Sequence, residues 1–432
     1  MRFRTMRHGA AIIATVAFGW IGFAQAQDNQ PAPAAAAPAA EAPAPAEPDL
    51  PPEAAKGRYL ATVGNCQTCH TVEGGRPFAG GVIFPTDFGT IYSTNITQDA
   101  ETGIGKWSLD DFKKAMRTGV RPDGVHLYPA FPYTSFTLTT DEDLAALYAY
   151  MKTLAPVSAP AKANEMKFPF NQRSLMSFWN KLFLKEGAYQ AQANQSAEFN
   201  RGAYLVEGLG HCSSCHSPRN FLGAERTDVA LAGGVYNDKN RKGAYVPWSA
   251  VNLTSANVGL AAWSADDLHA YLKNGVSKRA TTYGPMNDVI MNSTSKLTED
   301  DLKAVVTYIK ALPPKTIGSG SAASKQTMNA GETVYTVHCG TCHLPTGLGA
   351  DGLGTPLVGS AVINTPDPAT LITTILYGPQ LPPPPFVSGR RMMLPLADEL
   401  SDEEVAQVAS YVRATWGNSA GGVTAEQVAK QR

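Results

Sequence analysis

The chain has 432 residues, a formal net charge of −1, 44% hydrophobic residues and 17% charged ones. That balance excludes a disordered or collagen-like chain, and the near equality of 36 basic and 37 acidic residues gives no electrostatic footprint for nucleic acid. All six cysteines fall in three Cys-x-x-Cys-His pentapeptides, so none is left over.

The first residues, Met1 to His8, are basic and acid-free; an apolar run to Phe23 and Ala24-Gln25-Ala26 follow. This is the pattern of a secretory signal peptide over 1–26, and its apolar run is shorter than the ~20 residues a membrane span needs. Residues 27–52, mostly Ala, Pro, Glu and Gln, predict a flexible Ala/Pro-rich linker. The signal places the mature chain in the periplasm, and since no other stretch of this sequence is apolar over a full span, attachment to the cytoplasmic membrane is expected to be peripheral or through a partner.

A first domain is predicted over 53–157. A short helix containing Gly57-Arg58-Tyr59-Leu60 leads into Cys66, Cys69 and His70, and a closing helix reads as Leu144, Leu147 and Tyr150 at helical spacing. Asp141-Glu142-Asp143 opens that helix, where carboxylates favour the N-terminus. Between them lie Thr94-Asn95-Ile96-Thr97 and Trp107-Ser108, the serine reading as a helix cap and the tryptophan as pocket packing. The connector 158–199 carries Phe168, Phe170, Phe178, Trp179, Leu182 and Phe183, which require cover, either between the first two domains or by another subunit.

The second domain, 200–313, repeats the plan: Gly202-Ala203-Tyr204-Leu205, then Cys212, Cys215 and His216, then Asn252, Trp263 and Ser264, and a closing helix with Leu302, Val305 and Tyr308 after Glu299-Asp300-Asp301. After a linker at 314–326, the third domain, 327–417, has Gly331 to Tyr335, then Cys339, Cys342 and His343, and a closing helix with Val405, Val408 and Tyr411; it lacks the middle section. Residues 418–432 read as a polar tail, without the pattern of a deep amphipathic anchor.

Two thiols three positions apart can add to the two vinyl groups of one porphyrin, and the adjacent imidazole then reaches the iron. The sequence therefore predicts three covalently bound haems c, on Cys66/Cys69, Cys212/Cys215 and Cys339/Cys342, with His70, His216 and His343 as proximal ligands. One such motif could be half a zinc site or a redox dithiol; three copies with no further Cys-x-x-Cys favour haem. The sixth ligand should come from the loop ahead of each closing helix. Met286 is the choice in domain two, with Met291 nearby, and Met393 in domain three, beside Met392. The corresponding loop of domain one, Asp123 to Tyr133, has no methionine; either His126 ligates or the iron is open or weakly ligated. The expected fold is mainly α: three tandem class I cytochrome c domains joined by linkers.

The stretches Gly57–Leu60 to His70, Gly80-Gly81, Phe88–Thr97, Leu127–Tyr133, Phe168–Asn171 and Trp416-Gly417-Asn418 resemble the trihaem cytochrome c subunits of bacterial membrane-bound periplasmic dehydrogenases over nearly the whole mature chain. The resemblance implies an electron-transfer subunit. Its partners would be a catalytic subunit, whether quinoprotein, flavoprotein or molybdenum enzyme, and ubiquinone or a downstream cytochrome or oxidase. Relatives act on alcohols, aldehydes, sugar acids or N-heteroaromatics. Many carry methionine where this chain has Phe131, and Leu394 here interrupts a usual Met-Pro pair after Met393. No catalytic site of its own is expected. The alternatives are a free periplasmic shuttle and a haem enzyme with an open iron in domain one, for which His126 or Tyr133 would be the local acid–base group.

Overall fold

The structure is a computed structural model that describes residues 49–318, 320–350, 352–383, 386 and 392–432. The expected signal peptide and all of the linker before Asp49 lie outside the described residues. Chain segments Met1–Asp49 and Leu50–Arg432 separate as two units, and everything below concerns the second.

The first module starts with α1 (Pro52–Val63), whose initial proline suits a position where no N–H partner is needed, and continues directly into α2 (Cys66–His70). Strands β1 (Ile83–Thr86) and β2 (Gly89–Tyr92) pair antiparallel, Ile83 opposite Tyr92. Helix α3 (Leu109–Thr118) begins with a capping box between Ser108 and Asp111 and ends at Gly119. A short α4 (Tyr133–Phe136) precedes the closing α5 (Asp141–Met151), capped by Thr140. In the connector, β3 (Glu165–Met166) adds to β2, and α6 (Leu175–Phe183) follows.

The second module repeats this order with α7 (Ala197–Ala203) running on as a wider π-type turn (Tyr204–Leu209), then α8 (Ser213–His216), the ribbon of β4 (Gly234–Lys239) and β5 (Tyr245–Ala250), α9 (Ala265–Asn274), α10 (Met286–Asn292) and the closing α11 (Glu299–Ala311). The serine predicted as a cap, Ser264, forms a capping box with Asp267. The third module consists of α12 (Lys325–His338), α13 (Gly340–His343), α14 (Ala369–Tyr377), the closing α15 (Asp402–Ala414) and α16 (Ala425–Ala429). Residues 418–432 pack back on this module: Asn418, Val423, Val428 and Gln431 are buried, and Gln431 accepts from the Thr373 hydroxyl at 3.0 Å.

One device recurs three times. The first and last helices of each module cross at a glycine, and a β-carbon on Gly57, Gly202 or Gly331 would run into the carbonyl oxygen of Ala146, Ala304 or Gln407 respectively. A tyrosine one turn on, Tyr150, Tyr308 or Tyr411, packs against the same glycine. Only a residue without a side chain permits so close a backbone approach.

Modules one and two share a single hydrophobic core containing Leu60, Leu144, Leu147, Leu205, Leu302 and Val306, whereas Tyr335, Ile372, Leu376, Val405 and Val428 belong to a separate core in module three. The boundary between the first two is reciprocal. Tyr204 donates to Asp143 at 2.6 Å and Tyr59 donates to Asp301 at 2.6 Å, while Lys56 and Arg201, each the residue before a crossing glycine, pair with the same two carboxylates within their own modules. The equivalent contacts relate the two modules by an approximate twofold. Module three, with Ala330 and Thr333 at those positions, takes no part in the pairing. It docks instead through Ser249, whose hydroxyl donates to Asp367 O at 2.7 Å, and through Gln380, whose carbonyl receives Asn287 Nδ2 at 2.7 Å and Gly284 N at 3.0 Å.

Candidate haem centres

Each Cys-x-x-Cys-His motif sits on a single helical turn at the end of its module's first helix. Asn65 and His211, the residues before Cys66 and Cys212, adopt left-handed backbone with φ of 49° and 35°, which turns the chain sharply from the first helix into the motif. Burial pushes the thiols of Cys66, Cys69 and Cys212 up to about 12, and those of Cys215 and Cys339 to about 11. A redox dithiol needs a lowered pKa, so these sites have the opposite character.

The three histidines are oriented alike. Nδ1 of His70 lies 2.7 Å from Thr94 O, that of His216 2.7 Å from Val251 O, and that of His343 3.0 Å from Thr355 O. A carbonyl partner fixes Nδ1 as the protonated nitrogen and leaves the Nε2 lone pair for a metal. Burial lowers the pKa of all three, which keeps the rings neutral. Among the described residues no group of three or more His, Cys, Asp or Glu is arranged to hold an ion, so the tetrad of a structural zinc site is not built here.

A cavity of about 1600 Å³ opens beside α2, lined by Cys66, Cys69, His70, Ile104, Trp107 and Phe131, and it extends to His211 and Cys215 of module two. The expected pocket role of Trp107 agrees with that position. Met116, Met151 and Met176 also line the cavity. His211 is half-buried between modules, with Nε2 3.3 Å from Gly64 O and its ring edge-on to Phe136. His338 lies near Glu399 at 3.9 Å.

The loops ahead of the closing helices can be matched through their hydrogen bonds. Leu127 N bonds to Gly119 O and Thr282 N to Gly275 O, both at 2.7 Å, and the residues just before, His126 and Thr281, form equivalent bridges to Val120 and Val276. In this register Phe131 occupies the position of Met286, and His126 that of Thr281. The His126 ring is absent from the cavity lining, and its Nδ1 is buried without a partner, as are Thr281 Oγ1 and Trp248 Nε1. Met286 packs against the shared core and Met393 against the third module's core, while Met392 is exposed. Sequence spacing alone did not reveal Met176, because it lies in the connector, outside the segments that carry the motifs.

Paired thiols, a neutral imidazole with a free Nε2 and a large apolar cavity beside them fit a covalently attached haem. Fold and site together define a c-type cytochrome. Residues 54–155 match the cytochrome c family model, and residues 326–412 match that of cytochrome c oxidase, cbb3-type, subunit III. The chain is 36% identical to the cytochrome c subunit of the quinone alcohol dehydrogenase of Gluconobacter oxydans, over 87% of this chain and 81% of that one. It is 38% identical to the gluconate 2-dehydrogenase cytochrome c subunit of Pantoea cypripedii, over 87% and 89%. It is also 42% identical to a subunit of the nicotinate dehydrogenase of Pseudomonas putida, over 83% of this chain but only 30% of that longer protein. The chain belongs to the family of cytochrome c subunits of dehydrogenases, and it is an electron-transfer subunit carrying covalently bound haem c.

Proposed function

We propose that this chain carries three haems and conducts electrons from a dehydrogenase catalytic subunit to ubiquinone or a downstream cytochrome or oxidase, on the periplasmic face of the cytoplasmic membrane. The observation that carries the reading is the threefold recurrence of one arrangement: a motif helix whose histidine is held through Nδ1 by a backbone carbonyl. Haem, once bound, supplies a one-electron carrier. The polypeptide attaches it through Cys66/Cys69, Cys212/Cys215 and Cys339/Cys342, orients His70, His216 and His343, and excludes water with the two cores.

Met286 and Met393 are the proposed sixth ligands of haems 2 and 3. The hydrogen bonds from Gly284 and Asn287 to Gln380 support a fixed Met286 loop, braced by module three. For haem 1 the sequence candidate is His126. The matched loops, with Phe131 in the place of Met286, support the other alternative, an iron without a ligand from this loop. Relatives named as subunits of alcohol, gluconate and nicotinate dehydrogenases support a dehydrogenase partner, with an alcohol, a sugar acid or a heteroaromatic as its substrate class.

The test is to tag this cytochrome, purify the native complex and identify its companions by mass spectrometry with cofactor analysis. A stoichiometric dehydrogenase is expected, and its flavin, quinone or molybdenum names the substrate class. A cytochrome recovered alone would overturn the subunit reading in favour of a free shuttle.

A further inference from the structure

Helix α6 has two unlike faces. On the inner one, Met176 is buried, Asn180 accepts from the Tyr133 hydroxyl at 2.7 Å and donates to Thr118 O at 2.9 Å, and the Trp179 indole donates to Leu222 O at 3.0 Å. Leu175, Phe178 and Leu182, three and four residues apart, form an outer ridge that is 44%, 63% and 69% exposed. Phe168, 81% exposed, precedes the helix, and Phe221, 86% exposed, adjoins the Leu222 contact. The flanking loops are tied together, since Phe170 meets Phe88 edge to face with ring centroids 4.6 Å apart and Gly223 lies against the same Phe88 ring. One exposed phenylalanine calls for no explanation, but a ridge of three large apolar side chains, with two exposed phenylalanines on the flanking loops, marks an interaction surface.

The charges around the ridge indicate its partner. From Lys167 to Lys185 the chain has four cations, Lys167, Arg173, Lys181 and Lys185, and no carboxylate. Arg173 is engaged with His126 O and the Tyr128 ring, and Lys167 Nζ donates to Asp87 O at 3.1 Å, which leaves the exposed Lys181 and Lys185 at the rim, ahead of Glu186. Lys181 Nζ stands 5.6 Å over the Phe178 ring, its stem along apolar surface and its head toward water. An aromatic and aliphatic face edged by cations is what an interfacial helix presents to anionic lipid. No helix among the described residues is long and apolar enough to cross a membrane, so contact through α6 is with the surface.

We propose that the α6 ridge, with Phe168 and Phe221, seats this chain on an anionic bilayer surface, with Lys181 and Lys185 on the headgroup phosphates. The inference rests on the reading of a periplasmic subunit with peripheral attachment and names the attachment surface. Leu175, Phe178 and Leu182 also line the rim of the cavity beside α2, so the first haem site is the one turned to the membrane.

The test uses the full haem-loaded chain with vesicles of phosphatidylcholine alone or mixed with phosphatidylglycerol. Flotation should show binding to the anionic vesicles that weakens with salt. The Phe178→Ser/Leu182→Ser variant should lose about tenfold or more of that binding. Lys181→Glu/Lys185→Glu, whose side chains lie outside the cavity lining, should weaken it on anionic vesicles with the haem spectrum unchanged. A wild-type chain that floats with neither vesicle, or a serine variant that binds like wild type, overturns the proposal. So does a serine variant that keeps its vesicles but loses a co-purifying dehydrogenase, because the ridge is then a protein interface. Failure of the electron-transfer reading would show separately, as haems that no dehydrogenase reduces, and would leave the vesicle result intact.

Discussion

Tyr204 donates its phenol proton to the buried carboxylate of Asp143 at 2.6 Å across the boundary of the first two modules, and Tyr59 repeats the contact on Asp301. The two bonds fix the relative orientation of the modules that carry the first and second motifs. Replacing Tyr204 or Tyr59 by Phe leaves a buried carboxylate short of one donor, and each change should cost about 1–3 kcal/mol. Urea unfolding followed in the Soret band measures the loss; two variants as stable as the wild type would show that the pairing holds nothing together.

The same interface should be sensitive to acid. Burial alone would raise the Asp301 pKa, but the Arg201 guanidinium and the Tyr59 hydroxyl outweigh it and hold the carboxyl below its usual 3.8. A depressed carboxyl pKa contributes stability that is fully present above the unfolded value of about 4 and is lost as pH falls through the folded value. Stability should therefore be level from neutrality down to about pH 5 and fall below about pH 4. Asp301→Asn should remove part of that slope, as denaturant titrations at several pH values would show.

Arg413 is fully buried in α15, and its guanidinium donates to the carbonyls of Gly421, Ile363 and Thr365 at 2.7–2.9 Å. Burial lowers its pKa to about 10, so the side chain is still charged at neutral pH. Arg413→Ala strips several buried carbonyls of their donor and should destabilise module three by on the order of 4 kcal/mol. Because module three has its own core, the loss should appear as earlier proteolysis of the C-terminal third, with the Soret signal of the first two modules retained.

At the first module, the ferrous protein should bind carbon monoxide at one haem, and Phe131→Met should abolish that binding and raise the haem's potential. If the wild type refuses carbon monoxide, an internal ligand closes the iron, and His126 or one of the cavity methionines Met116, Met151 and Met176 would supply it.

Much of this architecture is legible in the sequence because its signals are local. Ser108 and Ser264 each precede a helix, and each forms the capping box its neighbours suggest. The three motifs announce themselves by cysteine spacing. What could not be read depends on distant contacts: Tyr59 and Asp301 are 242 positions apart, and nothing in either segment signals their pairing. The register that sets Phe131 opposite Met286 emerges only from the β-bridges of His126 and Thr281. The chain end after Trp416 is polar in composition, yet Val423 and Val428 are buried, since two well-placed valines suffice to dock the short helix α16.

The most direct measurement of the central claim is to add the partner's substrate to the purified native complex, anaerobically and without mediators, and follow the haem α-bands. Three haems per chain, all reduced by substrate and reoxidised by a ubiquinone analogue, is the predicted result. A bound dehydrogenase that turns over while these haems remain oxidised, or fewer than three haems per chain, would contradict it.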